Sequence, residues 1–329
     1  MGPEKEHTLR ILDNVVSHPN IGAVLTVGLS CEQIGADKLA QSAGDKPVHS
    51  IRIHDEGGNT KAVKKGVELV KELKKEASKA ERTRIGIEEL SIATQCGSSD
   101  TGSGIASNPS VGAMADKLIA LGGAVILGET AGLYGAAGLM ARRAATKEIG
   151  DEIIAITDRL EDYYKRMNHS LREGNPTPGN ITGGLTTLVE KSLGGVRKGG
   201  TTMIRGVLSP GERIMGKGLW VMNTSLGIGT CAAADMLASG AQILAYTTGG
   251  GNPIGSPLAP VVKITATKRT VERLDDIIDF DASPVLLVEE TIAECGDRLL
   301  DAVIKVANGK KVQAEKTRNI AFAIGRVMF

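Results

Sequence analysis

Seven short, nearly continuous apolar runs punctuate the chain: Val24–Leu29, Val48–Ile53, Leu90–Thr94, Ala124–Gly128, Leu219–Met222, Ile243–Thr247 and Val261–Thr265. Runs of that length without polar alternation suit strands buried on both faces, which is the condition of parallel sheets. Between them lie stretches with apolar recurrence at three and four residues, the spacing of an amphipathic helix: Asn59–Glu81, Pro109–Leu121, Leu133–Ala145, Asp151–Asn168 and Glu289–Ala307. Strands alternating with helices predict an α/β fold of mostly parallel sheets with flanking helices. The charged stretch Lys71–Arg84, just before the strand at Leu90, marks a boundary between a small first domain (residues 1–84) and a larger second one (85–329).

Composition removes several function classes. Lys plus Arg total 39 and Asp plus Glu 38, so no global charge draws the chain to nucleic acid or to a membrane surface. Aromatic residues are 2% of the total, too few for a base-stacking platform. The longest apolar stretch, Leu118 to Leu127, is too short to span a bilayer and is broken by Gly122 and Gly123. Four widely spaced cysteines with no CxxC pair fit a reducing, cytoplasmic setting. The expected partner is therefore a small molecule.

In such sheets ligands collect at the carboxyl ends of strands. The run Thr94 to Pro109 (TQCGSSDTGSGIASNP) leaves a strand and enters a helix near Pro109, with Ser107 or Asn108 placed to cap it and free amides placed to hold a carboxylate or sulfonate. Cys96 and Asp100 would stand at the mouth of that site, with Ser98 and Ser99 as ligand contacts. Glu129 follows a second strand and would face the same substrate. The segment NPTPGN (175–180) and the following GGLTTLVEKSLG (183–194) contribute Asn180, Glu190 and Lys191; neighbours on a helix diverge by about 100°, so Glu190 and Lys191 are not expected to pair. Thr248 and Gly249 begin a glycine-rich loop (TTGGGNPIGSP, 247–257) with enough backbone freedom to wrap a polyhydroxylated acid. His18, in a turn, and Cys31, after the first strand, are secondary candidates.

Some patterns mislead. GERIMGKG (211–218) approaches a Walker A loop but ends in Gly218 where a hydroxyl must hold magnesium. Gly102-Ser-Gly104 is a fragment of a dinucleotide fingerprint. There is no HExxH, CxxC or helically spaced His pair, so no ordinary zinc site is expected and no metal ligands are assigned.

In order along nearly the whole chain, the motifs HPN (18–20), GLSCE (28–32), QCGSSD (95–100), SGIASNP (103–109), GET (128–130), PGN (178–180), GGLT (183–186), EKSLG (190–194), TTG (247–249) and PVVKI (260–264) resemble the altronate/galactarate dehydratase (UxaA-like) family. The resemblance implies a hydro-lyase that converts a sugar acid to a 2-keto-3-deoxy acid by β-elimination, with Cys96, Asp100, Glu129 and Glu190 as the polar core. It implies a divalent metal cofactor (iron(II), manganese or magnesium), a homo-oligomer, and a separate small subunit carrying the family's amino-terminal domain. Its relatives include the sulfolactate sulfo-lyase large subunit, which expels sulfite, and a non-catalytic sugar-acid-binding homologue is the other alternative. Two positions depart from the family's usual pattern: Asn223 stands where Asp is common, and Gly250 where Arg is common.

Overall fold

The computed structural model describes residues 2–226 and 229–327. The chain divides into two units, Met1–Ile85 and Gly86–Phe329. The first is built on two parallel strands, β1 (Val24–Gly28) and β2 (Val48–Arg52), in register from Val24 with Val48 to Gly28 with Arg52. Helices Pro3–Val16, Ala36–Gln41 and Asn59–Ala77 belong to the same unit.

The second unit holds seven parallel strands: β3 (Ser91–Cys96), β4 (Ala124–Leu127), β5 (Ile204–Leu208), β6 (Gly218–Met222), β7 (Ile243–Thr247), β8 (Val261–Thr265) and β9 (Phe280–Asp281). Their order in the sheet is β5-β6-β4-β3-β7-β8-β9. The chain thus begins in the middle at β3, adds β4 beside it, crosses to the edge strand β5, fills the gap between them with β6, and then adds β7, β8 and β9 on the other side. The crevice between β3 and β7, where Cys96 pairs with Thr247, is the point at which the winding reverses and where such sheets bind ligands.

Alternation along the strands explains the two covered faces. Ile92, Val125, Leu219, Ile243 and Val262 join one core cluster with Val111, Met114 and Leu118 of helix Asn108–Ala120, Leu299 and Val303 of helix Ile292–Ala307, and Ile153 and Ile156 of helix Lys147–Arg166. Their strand neighbours Ala93, Ile126, Leu244 and Val261 are just as buried but lie outside that cluster, because successive side chains point to opposite faces. Helix Gly229–Ala238, which contacts β3 and β7, is buried along nearly its whole length.

Several elements differ from the sequence reading. The helix expected over Leu133–Ala145 is a 3-10 turn, Thr130–Leu133, and a short helix, Ala137–Ala141, separated by Gly135 in a left-handed conformation. No helix starts afresh at Pro109: a π-helical turn at Ser103–Ser107 runs straight into it, so Ser107 and Asn108 are helical rather than capping. The amides expected to be free there are inside the helix. Among the described residues, no helix is long and apolar enough to cross a membrane.

Candidate active site

A cavity of about 120 Å3 opens at the carboxyl ends of β3 and β4, lined by Cys96, Gly97, Ser99, Glu129, Asn175, Lys191, Ser192 and Lys198 among others. Each polar group arrives for a local reason. Cys96 is the last residue of β3. Glu129 follows β4 and holds a left-handed backbone (φ 72°), an uncommon and costly state for a residue with a side chain. That turn carries its carboxylate back over β3, where Oε2 accepts hydrogen bonds from the Cys96 amide at 3.2 Å and from the Cys96 thiol at 3.3 Å.

Helix Leu188–Gly195 presents Leu188, Lys191, Ser192 and Gly195 to the cavity, the one-faced spacing of a helix. Lys191 Nζ donates to Asn175 Oδ1 at 2.8 Å and to Asn180 Oδ1 at 2.9 Å. Asn180 is itself fixed: its amide side chain donates to the Ser99 carbonyl and its oxygen accepts from Thr177 N–H. Glu190 turns the other way and accepts from Thr186 N–H and Oγ1, which holds its carboxyl below the usual range. It secures the helix start and is absent from the cavity lining.

Sequence reasoning missed Lys198. It lies in the 3-10 turn Val196–Gly199, 2% exposed, with Nζ donating to Cys96 Sγ at 3.1 Å and to the Gly195 carbonyl at 2.9 Å. The turn reaches this depth because Gly112 lies beneath it, where a Cβ would overlap the Arg197 carbonyl oxygen. Neither Lys198 nor Lys191 forms an ion pair with a carboxylate among the described residues. A buried ammonium without a counter-charge costs several kcal/mol, and such groups concentrate at functional sites. Burial pushes the Cys96 thiol up; Lys198 opposes that shift and Glu129 adds to it. Tyr246, also missed, is buried beneath Gly97, receives a hydrogen bond from Asn252, and is kept protonated by burial and by the charges of Glu129 and Cys96.

Asp100 does not share this cavity with Glu129. Its Oδ1 accepts from Ser103 N–H at 2.7 Å and Oγ at 2.8 Å, and Oδ2 accepts from Thr267 Oγ1. It faces a second cleft of about 530 Å3 together with Ser98, Gly183, Gly249, Gly250, Thr267, Arg269 and Arg273. Residues 97 to 100 are the wall between the two spaces, with Gly97 and Ser99 lining one and Ser98 and Asp100 the other. Thr248 is fully buried and spends its hydroxyl on Gly251 N–H. Asn223 accepts from Thr130 Oγ1 beside the Glu129 turn. His18 and Cys31 lie in the first unit: His18 is buried with Nδ1 accepting from Asn20 N–H, and Cys31 is exposed.

The donor chemistry bears on the divalent ion implied by the family resemblance. Cys96 and Glu129 are two donors, and an ion there would have to displace the Lys198 ammonium from the thiol. Among the described residues no group of three or more His, Cys, Asp or Glu converges on one point. Among the described residues, Cys96 and Glu129 by themselves do not make up an ordinary ligand set for such an ion.

A thiol and a carboxylate joined by a hydrogen bond, with one ammonium on the thiol and a second lining the same cavity, are equipment for moving protons at a carbon next to an anionic group, as a lyase requires. Known proteins point the same way. Residues 87–328 match the family D-galactarate/altronate dehydratase, C-terminal, and residues 1–78 match D-galactarate dehydratase/altronate hydrolase, second domain. The chain belongs to the D-galactarate/altronate dehydratase family. It is 36% identical to (2R)-sulfolactate sulfo-lyase subunit beta of Chromohalobacter salexigens, over 99% of this chain and 84% of that protein. It is 34% identical to altronate dehydratase of Bacillus subtilis over 96% of the chain, and 33% identical to galactarate dehydratase (L-threo-forming) of Escherichia coli over 92%. Those two alignments span 63% and 59% of the relatives' own lengths.

Proposed function

We propose that this chain carries the catalytic part of a hydro-lyase that removes the β-hydroxyl of a sugar acid of the altronate or galactarate type, giving a 2-keto-3-deoxy acid. The observation that carries the reading is the hydrogen-bonded series Lys198 Nζ, Cys96 Sγ and Glu129 Oε2, opening on a cavity where Lys191 adds a second ammonium. A proton next to a carboxylate is too weakly acidic to leave unaided. Two ammonium groups around the substrate carboxylate stabilise the enediolate that forms.

Glu129 takes the α-proton, and the Cys96 thiol gives its proton to the departing hydroxide, which leaves as water. The enol tautomerises to the 2-keto acid. The proton on Glu129 then passes across the 3.3 Å contact to the Cys96 thiolate, which restores the starting state. Asn175 and Asn180 act by holding Lys191.

A second reading has sulfolactate as substrate and sulfite as leaving group. It is favoured by the 36% identity to the sulfo-lyase subunit across 84% of that protein. Sulfite departs without a proton, so this reading needs Glu129 and the lysines but not the Cys96 proton. Under either reading we take the working assembly to be oligomeric and to include a separate small subunit; that the relative is named subunit beta supports the presence of a second subunit.

The test is turnover of aldonates, aldarates and sulfolactate by anaerobically purified protein, with and without added divalent metal and small subunit. A 2-keto-3-deoxy acid is the expected product; pyruvate with sulfite from sulfolactate alone would select the second reading. Absence of a keto product from every acid would sink both, and binding without consumption would mark a non-catalytic sugar-acid receptor.

A further inference from the structure

We infer that Asp116 is a positioning residue: by gripping the turn that carries Lys198, its carboxylate keeps the Lys198 ammonium against the Cys96 thiol. The inference rests on the lyase reading only for what that ammonium does in turnover; the grip itself rests on independent geometry. The buried Lys198 charge faces a thiol and the Gly195 carbonyl rather than a carboxylate, so hydration favours its escape. The turn has to be held from elsewhere.

Asp116, in helix Asn108–Ala120, holds it at its far end. The carboxylate accepts from Thr201 N–H at 2.8 Å on both oxygens, from Thr201 Oγ1 at 2.8 Å, from Thr202 N–H at 3.0 Å and from Thr202 Oγ1. Four donors on two successive residues use the full accepting capacity of one carboxylate. Gly200 (φ 59°) lets the chain come this close, since a Cβ there would overlap the Asp116 carboxylate and the Gly112 carbonyl oxygen. Arg143 grips the same segment by its carbonyls, Nη2 donating to Gly199 at 3.0 Å and to Thr202 at 2.7 Å. Burial works against the guanidinium's charge and Asp116 opposes that effect, so one carboxylate supports both holds. Neither Asp116 nor Arg143 lines the cavity, and Asp116 acts on the site through the turn.

Iodoacetamide labelling of Cys96 across pH, resolved by peptide mass spectrometry, tests this without a substrate in wild type, Asp116→Asn, Lys198→Met and the double variant. Asn offers one oxygen to those four donors and turns an NH2 group towards the rest, so the turn loses its hold. The sign of the shift separates the causes. Loss of a negative charge, acting directly, would favour the thiolate and lower the labelling midpoint, whereas withdrawal of Lys198 raises it. The expected result is a midpoint above that of wild type in Asp116→Asn, with no further rise when the change is added to Lys198→Met. Thr202→Val, which removes a single donor, should shift the midpoint the same way by less. An unchanged or lower midpoint in Asp116→Asn, or in Thr202→Val if only that protein folds, would overturn the inference. So would a rise that persists in the Lys198→Met background. A raised midpoint with no turnover of any acid by wild type would count against the lyase reading and leave the assignment standing.

Discussion

Replacing Lys198 by Met removes one charge 3.1 Å from Cys96 Sγ and keeps a long unbranched side chain in the turn. The attraction between an ammonium and a thiolate at that distance is roughly 5 kcal/mol at an effective dielectric of about 20. Its removal leaves the upward push of burial and of Glu129 unopposed, so the thiol of the variant titrates at higher pH than that of wild type. The assay is the pH dependence of iodoacetamide labelling, resolved by peptide mass spectrometry because Cys31 is exposed and would dominate a bulk measurement. Folding should survive, because the cost of burying an uncompensated cation disappears with the charge. A labelling midpoint that stays where it is in wild type, or moves down, would refute the electrostatic coupling on which the proton series depends.

Glu129→Gln should lower kcat by about 10^2- to 10^4-fold with little change in substrate affinity, read from steady-state kinetics. Cys96→Ala should abolish dehydration but spare most sulfite release, so comparing the two reactions separates the leaving groups. Asp235 is fully buried, and burial pushes its carboxyl up to about 6. The folded protein therefore holds this proton more tightly than the unfolded chain does, and the group's contribution falls as pH rises from about 4 to 6. Asp235→Asn should remove that slope and gain up to about 3 kcal/mol at neutral pH, seen in urea unfolding at several pH values. Gly97→Ala would drive a methyl into the Tyr246 hydroxyl, and a loss of about 1–3 kcal/mol in thermal unfolding is expected.

The buried strands and the long amphipathic helices were legible because their patterns are local. β5 escaped notice: Gly206 and a half-exposed pattern make Ile204–Leu208 read as part of the irregular, glycine-rich region around it. Helix Gly229–Ala238 has no polar face to give it a period, being buried all round. The first helix, Pro3–Val16, was also overlooked. Cys96, Ser99, Glu129, Asn180 and Lys191 were singled out because they follow strands or sit in unusual glycine and proline contexts; four of them line one cavity, and Asn180 holds Lys191 from behind it. Lys198 was illegible for the opposite reason: within Gly194 to Gly200 it reads as a solvated basic loop. The turn is buried where it packs on Gly112, whose close neighbour in the turn, Arg197, lies 85 positions (197 − 112) further along the sequence. Asp100 and Glu129 show the complementary limit, since both follow adjacent strands yet face different spaces.

Glu129 occupies a backbone state that Gly or Asn would adopt at lower cost. Random substitution at this codon therefore meets a slope in folding energy that runs away from the carboxylate. Only a demand for turnover would hold the acid in place, and a lineage freed from that demand should drift at this position first.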